Sequence, residues 1–242
     1  PQPPFNYRID EVTFTNWIDK NILAGTLTTP NNKKVLPVVV LISGSGQQNR
    51  DSEIFGHKEF WVIADDFAKK GIGVLRVDDR GTGGSNGLTT TMTTENFAGD
   101  ANAAVAFLAQ KGFDNIGLIG HSEGGIIAPI VASKNKKVKF IVSMAGPGIP
   151  SDDLLLLQTN AIGKASGASE EELKSVKETN QLLYSFIKNY SGKDLKNDVK
   201  KILVEELQKL PSEQKPDAVG IEKIADQESN KISNAWFMYF LK

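Results

Sequence analysis

Hydrophobic positions give the chain two textures. Up to about residue 150, short β-type runs alternate with helical patterns. The runs Glu11 to Thr15 and Ile22 to Thr28, closed by Pro30, predict an opening antiparallel pair. Val35 to Ser43 follows as a nearly continuous apolar stretch, the pattern of a strand covered on both faces. Phe60, Ile63, Ala64, Phe67 and Ala68 then recur at helical spacing, with Gly71 placed to stop the helix. The alternation repeats. Ile72 to Val77 reads as a strand, and Phe97, Ala101, Ala104, Val105 and Leu108 form a helix face stopped by Gly112. Asn115 to Ile119 predicts another strand, about Glu123 to Ser133 a helix, and Val138 to Met144 a further apolar strand. Such alternation predicts an α/β fold, a parallel sheet with helices on both faces.

After Gly148 the strand runs cease. Leu173, Val176, Leu183, Ile187 and Tyr190 keep helical spacing, as do Ile202, Leu203, Leu207 and Leu210 before Pro211. The expected organisation is a sheet core over residues 1–150 and a helical cap over residues 151–242. Leu154 to Leu157 would be a hazard in solvent, so this run is expected to pack onto the sheet domain or over a pocket.

Charge and composition narrow the function. Twenty-eight Lys plus Arg against 29 Asp plus Glu leave a formal net charge of -1. No whole-molecule field therefore draws the protein to nucleic acid or anionic lipid, and a small-molecule substrate fits better. The Lys-rich stretches Lys134 to Lys139 and Lys193 to Lys201 read as solvated surface. The chain has no cysteine, which removes disulfides, thiolate catalysis and Cys-based zinc sites, and its 2 histidines are too few for a His-rich metal cage. Neither metal nor cofactor is expected. No apolar run approaches the roughly 20 residues of a membrane span. Pro1-Gln2-Pro3-Pro4 shows no signal-peptide pattern, so processing or truncation is expected to have set that end, and the compartment is left open.

The chemistry concentrates in Gly120-His121-Ser122-Glu123-Gly124, a Gly-x-Ser-x-Gly segment between a predicted strand and a predicted helix. A turn this tight needs a strained serine backbone and glycines, Gly120 and Gly124, where neighbouring segments approach. Ser122 is then the candidate nucleophile. The helix N-terminus directs free N–H groups at the oxygen that becomes anionic in acyl transfer, so the Glu123 amide is the first candidate oxyanion donor. The second is the Ser45 amide in the glycine-rich loop Ser43 to Gly46, after the preceding strand.

Two glycine loops also invite a nucleotide reading. Gly44-Ser45-Gly46-Gln47-Gln48-Asn49 lacks the third glycine of the dinucleotide fingerprint, and Asp78 lies too far on to bind a ribose. Gly81 to Gly87 has no lysine after its glycines, which excludes a P-loop; it reads as turns held by Asp78 and Arg80.

Three segments, Leu41 to Asp51, Asp78-Asp79-Arg80-Gly81-Thr82-Gly83-Gly84-Ser85 and Gly120 to Gly125, resemble α/β-hydrolases of the serine aminopeptidase-like and small bacterial carboxylesterase groups. The resemblance implies an eight-stranded, mostly parallel sheet, a helical cap after the sixth strand, and hydrolysis of carboxylic esters, often with short acyl groups. It also implies an acid after the seventh strand and a histidine after the eighth, which residues 1–242 do not supply. His121 reads as a packing residue and His57 as a loop or helix-start residue. Asp152 and Asp153 read as helix caps. The expectation is therefore a serine hydrolase whose chain continues past Lys242 with two more strands, or pairs with a separate C-terminal piece, and which is inactive as residues 1–242 alone. The alternatives are an aminopeptidase or amidase with the same elbow, and a non-catalytic binding protein of the same fold.

Overall fold

The computed structural model describes residues 1–31 and 37–242, so Val35 at the start of the predicted third strand lies outside the described residues. The chain divides into two compact units, Pro1–Pro147 and Gly148–Lys242.

In the first unit, β1 (Tyr7–Asn16) and β2 (Asn21–Pro30) form an antiparallel hairpin in full register from Tyr7 opposite Pro30 to Asn16 opposite Asn21. The predicted opening pair is present and is longer at each end. Then come β3 (Val38–Ile42), a small hairpin of β4 (Glu53–Ile54) and β5 (His57–Lys58), α1 (Glu59–Lys69), β6 (Gly73–Val77) and α2 (Thr94–Gln110). β7 (Ile116–His121), α3 (Gly124–Lys134) and β8 (Val138–Met144) complete the unit. The main sheet has the order β1-β2-β6-β3-β7-β8. β2 joins β6 antiparallel, while β3 pairs parallel with β6 and β7, and β7 with β8.

The continuous apolar reading of β3 has a direct cause. Successive side chains of a strand point to opposite faces. Val38, Val40 and Ile42 enter one core with Val105 and Leu108 of α2 and Ile127 and Val131 of α3. Val39 and Leu41 enter another with Phe60 and Ala64 of α1. All five side chains are buried, each contributing about 1.5–3 kcal/mol of apolar transfer. Each strand of the parallel set thus ends at the same rim, where its loops carry polar residues. β8 departs from this burial: Phe140, Ile141 and Val142 are each about two-fifths exposed.

The second unit holds α4 (Ser151–Ala165), α5 (Glu170–Lys188), α6 (Leu195–Gln208), α7 (Ala218–Ile232) and α8 (Ala235–Phe240). Leu183, Tyr184 and Ile187 of α5 share a core with Val199, Leu203, Ala225 and Phe237. From the Leu154 to Leu157 run, Leu155 and Leu156 pack against that core, whereas Leu157 is exposed. Among the described residues no helix is long and apolar enough to cross a membrane.

Candidate active site

β7 ends at His121 and α3 begins at Gly124, so Ser122 and Glu123 make the whole turn. Ser122 takes φ +53°, a left-handed conformation that costs a residue with a side chain about 1–3 kcal/mol. The surroundings over-determine it. The Ser122 N–H donates to Met144 O at 2.9 Å, and Ser122 O accepts from the Gly125 N–H at 2.8 Å. Glu123 O takes the N–H groups of Ile126 and Ile127 at 2.8 and 3.0 Å. Close backbone approach explains the glycines: a Cβ on Gly120 would overlap the Gly124 carbonyl, and one on Gly124 would overlap Ile42 O and lie 2.7 Å from Ser43 O. Gly125 belongs to the same set, since its Cβ would lie 2.6 Å from Gly146 Cα. The doubled glycine at 124 and 125 was its only signal in the sequence.

The Glu123 amide is at the N-terminus of α3, where the helix dipole is positive. Its side chain turns inward and is buried, accepting from Thr94 Oγ1 at 2.8 Å. Thr94, the first residue of α2, thereby ties that helix to the elbow. Across the rim, the loop after β3 comes up to the serine: a Cβ on Gly44 would lie 3.1 Å from Ser122 Cβ. Ser45 follows, exposed, its carbonyl accepting from Gln48 Nε2 at 3.4 Å. The structure therefore brings Ser122, Glu123 and the Ser43 to Gly46 loop to one end of the sheet.

Behind them lies a network of ionic groups. Asp78 Oδ1 accepts from the Arg50 N–H at 2.8 Å, and Asp78 Oδ2 accepts from the Gly84 N–H at 2.9 Å and Arg50 Nη2 at 2.7 Å. Burial works against its charge, but the Arg50 guanidinium and these amides outweigh it and hold the carboxyl below the ordinary range. Arg80 is buried and fully paired: Asp100 takes its Nε and Nη2 at 2.7 and 2.8 Å, and Asp19 takes Nη2 at 2.7 Å. Both residues hold the loop after β6, as the sequence predicted.

Asp79, between them, was not singled out in the sequence. Its Oδ1 accepts from Ser43 Oγ at 2.8 Å and its Oδ2 from the Gln48 N–H at 2.9 Å. Desolvation pushes its pKa up to about 7; the bonds from Ser43 and Gln48 oppose the rise, and the charges of Asp100 and Glu123 add to it. A cavity of about 60 Å³, room for a few water molecules, has Ser43, Gly44, Asp79, Arg80 and Glu123 in its wall. Ser122 and Ser45 are not in that wall.

The remaining candidates lie apart in role. His121 is half-buried, and its Nδ1 has no hydrogen-bond partner among the described residues. His57 is exposed on β5, a strand position in place of the predicted loop or helix start. Asp152 and Asp153 occupy the first turn of α4 but do not cap it, since the N-cap is Pro150 and no side-chain cap hydrogen bond forms there; Asp152 accepts from Lys188 Nζ at 2.8 Å within the second unit. Among the described residues no three His, Asp or Glu side chains converge as metal ligands would.

A strained serine on a strand-to-helix turn, at the C-terminal rim of a mostly parallel sheet with antiparallel β1 and β2 at one edge, defines a class of protein. Residues 37–219 match the alpha/beta hydrolase fold family, and the chain belongs to it. Esterase EstD of Thermotoga maritima is 32% identical over 157 residues, covering 63% of this chain and 38% of that protein. The solved structure of the Pyrococcus furiosus esterase Pf2001 superposes with a TM-score of 0.53 at 25% identity, covering 75% of this chain and 60% of that one. Hypothetical protein PA2218 from Pseudomonas aeruginosa gives 0.53 at 22% identity, covering 77% and 55%, a likeness of fold. The chain spans well under half the length of EstD and less than two thirds of either structure.

Proposed function

We propose that this protein is a serine hydrolase that cleaves carboxylic esters, with short acyl groups, through an acyl-enzyme on Ser122. The observation that carries the reading is the strained Ser122 at φ +53°, held by two backbone hydrogen bonds of its own at a helix N-terminus. Strain of this kind is enriched at active sites, where the surrounding structure holds it. The esterases EstD and Pf2001 among its relatives support ester hydrolysis over other acyl transfers.

In the mechanism, Ser122 Oγ attacks the acyl carbonyl as its proton passes to a general base. The negative charge on the carbonyl oxygen is received by the amides of Glu123 and Ser45, one from the elbow and one from the loop after β3. The alcohol leaves with a proton from the base, and water then hydrolyses the acyl-serine by the same steps. Among the described residues neither histidine is seen hydrogen-bonded to Ser122 or to a carboxylate: His57 is exposed on the β4–β5 hairpin, and the Nδ1 of His121 has no partner. We assign to the second unit the role of a cap shaping acyl-chain preference.

In the natural full-length protein, Ser122→Ala should lower p-nitrophenyl acetate turnover by about 10⁶ and abolish labelling by a fluorophosphonate, with the thermal midpoint unchanged. More than a few per cent residual turnover would sink the assignment. Faster turnover of an aminoacyl anilide than of the matching ester would turn the reading to an amidase.

A further inference from the structure

The loop that carries the Ser45 amide has little holding it by its own composition. Residues 43–48 read Ser-Gly-Ser-Gly-Gln-Gln, with Gly46 in the left-handed region at φ +89° and Ser45, Gly46 and Gln47 exposed. Such a segment has many accessible conformations, and an oxyanion donor contributes only if it is already in place when charge develops. Something outside the loop must fix it.

One side chain reaches both of its ends. Ser43 is the first residue after β3 and Gln48 closes the turn, and the two carboxylate oxygens of Asp79 take one bond from each, Ser43 Oγ at 2.8 Å and the Gln48 N–H at 2.9 Å. The Asp79 N–H completes the tether by donating to Gln48 O at 3.1 Å. Between those anchors Gly44 stands against Ser122. Asp79 is itself fixed from both sides in sequence, because Asp78 binds Arg50 and Gly84 while Arg80 binds Asp100 and Asp19.

We propose that Asp79 is a positioning residue for ester hydrolysis, clamping the 43–48 loop so that the Ser45 amide stands ready for the oxyanion formed at Ser122. The inference rests on the acyl-enzyme reading given above and adds to it the device that pre-organises one half of the oxyanion hole. The clamp works by shape and hydrogen bonding, not by charge. Its partners are a hydroxyl and backbone groups, and a negative charge close to a forming oxyanion would oppose it. The carboxyl, pushed up to about 7, is well suited to this. In the neutral acid, Oδ1–H donates to Ser43 Oγ, which can accept as well as donate, and Oδ2 still accepts from the Gln48 N–H. Both tethers survive either protonation state. An asparagine offers the same pair, with its amide N–H₂ toward Ser43 and its oxygen toward Gln48.

The test uses the natural full-length protein and p-nitrophenyl acetate, with Asp79→Ala, Asp79→Asn, Ser43→Ala, the double variant Ser43→Ala/Asp79→Ala, and Ser122→Ala as reference. Asp79→Ala should lower kcat about 10²-fold, the loss expected from a misplaced oxyanion donor, while KM changes less than about threefold. Asp79→Asn should restore most of that loss. Ser43→Ala should cost about tenfold alone and less than about twofold on top of Asp79→Ala, because both remove one tether. If Asp79→Ala fails to fold, Ser43→Ala still decides the matter, since it is cut back at the loop and leaves the network around Asp78 and Arg80 intact. Full kcat in Asp79→Ala or Ser43→Ala overturns the proposal. So does Asp79→Asn failing as badly as Asp79→Ala, which would make charge the operative property, or a loss that falls on KM. Loss of turnover in Ser122→Ala together with any of these overturns the clamp alone; retained turnover in Ser122→Ala overturns the acyl-enzyme reading and the clamp with it.

Discussion

Adding one methyl group at Gly120 tests the elbow by steric means. The Cβ of Gly120→Ala would overlap the Gly124 carbonyl and lie 2.6 Å from Gly125 N, where unstrained contacts begin at about 3.5 Å. The obstacle is backbone in the first turn of α3, with no side chain to swing aside. Either β7 or α3 must retreat by roughly 1 Å. Overpacking that side chains can relieve costs about 1–3 kcal/mol, so a backbone clash belongs at about 3 kcal/mol or above. For a chain of this length that lowers the thermal midpoint by roughly 6–12 °C. Reactivity should suffer more than stability, because displacing a catalytic atom by about 1 Å costs about 10²-fold in rate. The assay is thermal unfolding beside the rate of fluorophosphonate labelling at Ser122. Gly148→Ala is the control, since its Cβ would meet nothing within 4 Å. If Gly120→Ala matches Gly148→Ala in both measurements, the argument from close approach is wrong.

Two further perturbations probe the groups behind the rim. Arg80→Met should destabilise the protein by about 3–5 kcal/mol, since it leaves Asp100 and Asp19 without the buried guanidinium that pairs them; a urea midpoint lowered by less than the equivalent of about 1 kcal/mol would refute this. Asp79 governs a pH effect whose sign follows from its raised pKa. The unfolded carboxyl titrates in the ordinary carboxylate range and the folded one at about 7, so folding takes up a proton between those values. Its contribution to stability is therefore fullest below the ordinary range and is lost as pH rises through 7. Asp79→Asn removes that loss, so its urea midpoint relative to the parent should climb from about pH 5 to about pH 8, and a constant gap would contradict the assignment.

Much of this fold is legible because burial writes itself into the sequence as period. β3 reads as an unbroken apolar run since both its faces are covered, and α2 reads as a helix since Ala101, Ala104, Val105 and Leu108 share one buried stripe. Ser122 is legible for a different reason: strand, glycine, serine, glycine and helix in that order leave the chain one way to turn. What the sequence conceals is partnership at a distance. The β4–β5 hairpin is two residues a side and has no period to detect. The insertion of β6 between β2 and β3 depends on ladders between segments far apart in the chain.

Asp78-Asp79-Arg80 shows the limit most clearly. Three charged residues at the end of a buried strand announce that something holds the rim, and the alternation of the chain sends them different ways. Asp78 finds Arg50 and Gly84, Asp79 finds Ser43 and Gln48, and Arg80 finds Asp19 and Asp100. A one-residue shift there would exchange a paired carboxylate for the loop clamp while leaving composition and hydropathy unchanged. Asp78 and Arg80 were therefore readable as holding the loop, while the part of Asp79 was unreadable, because it belongs to where the strand stops.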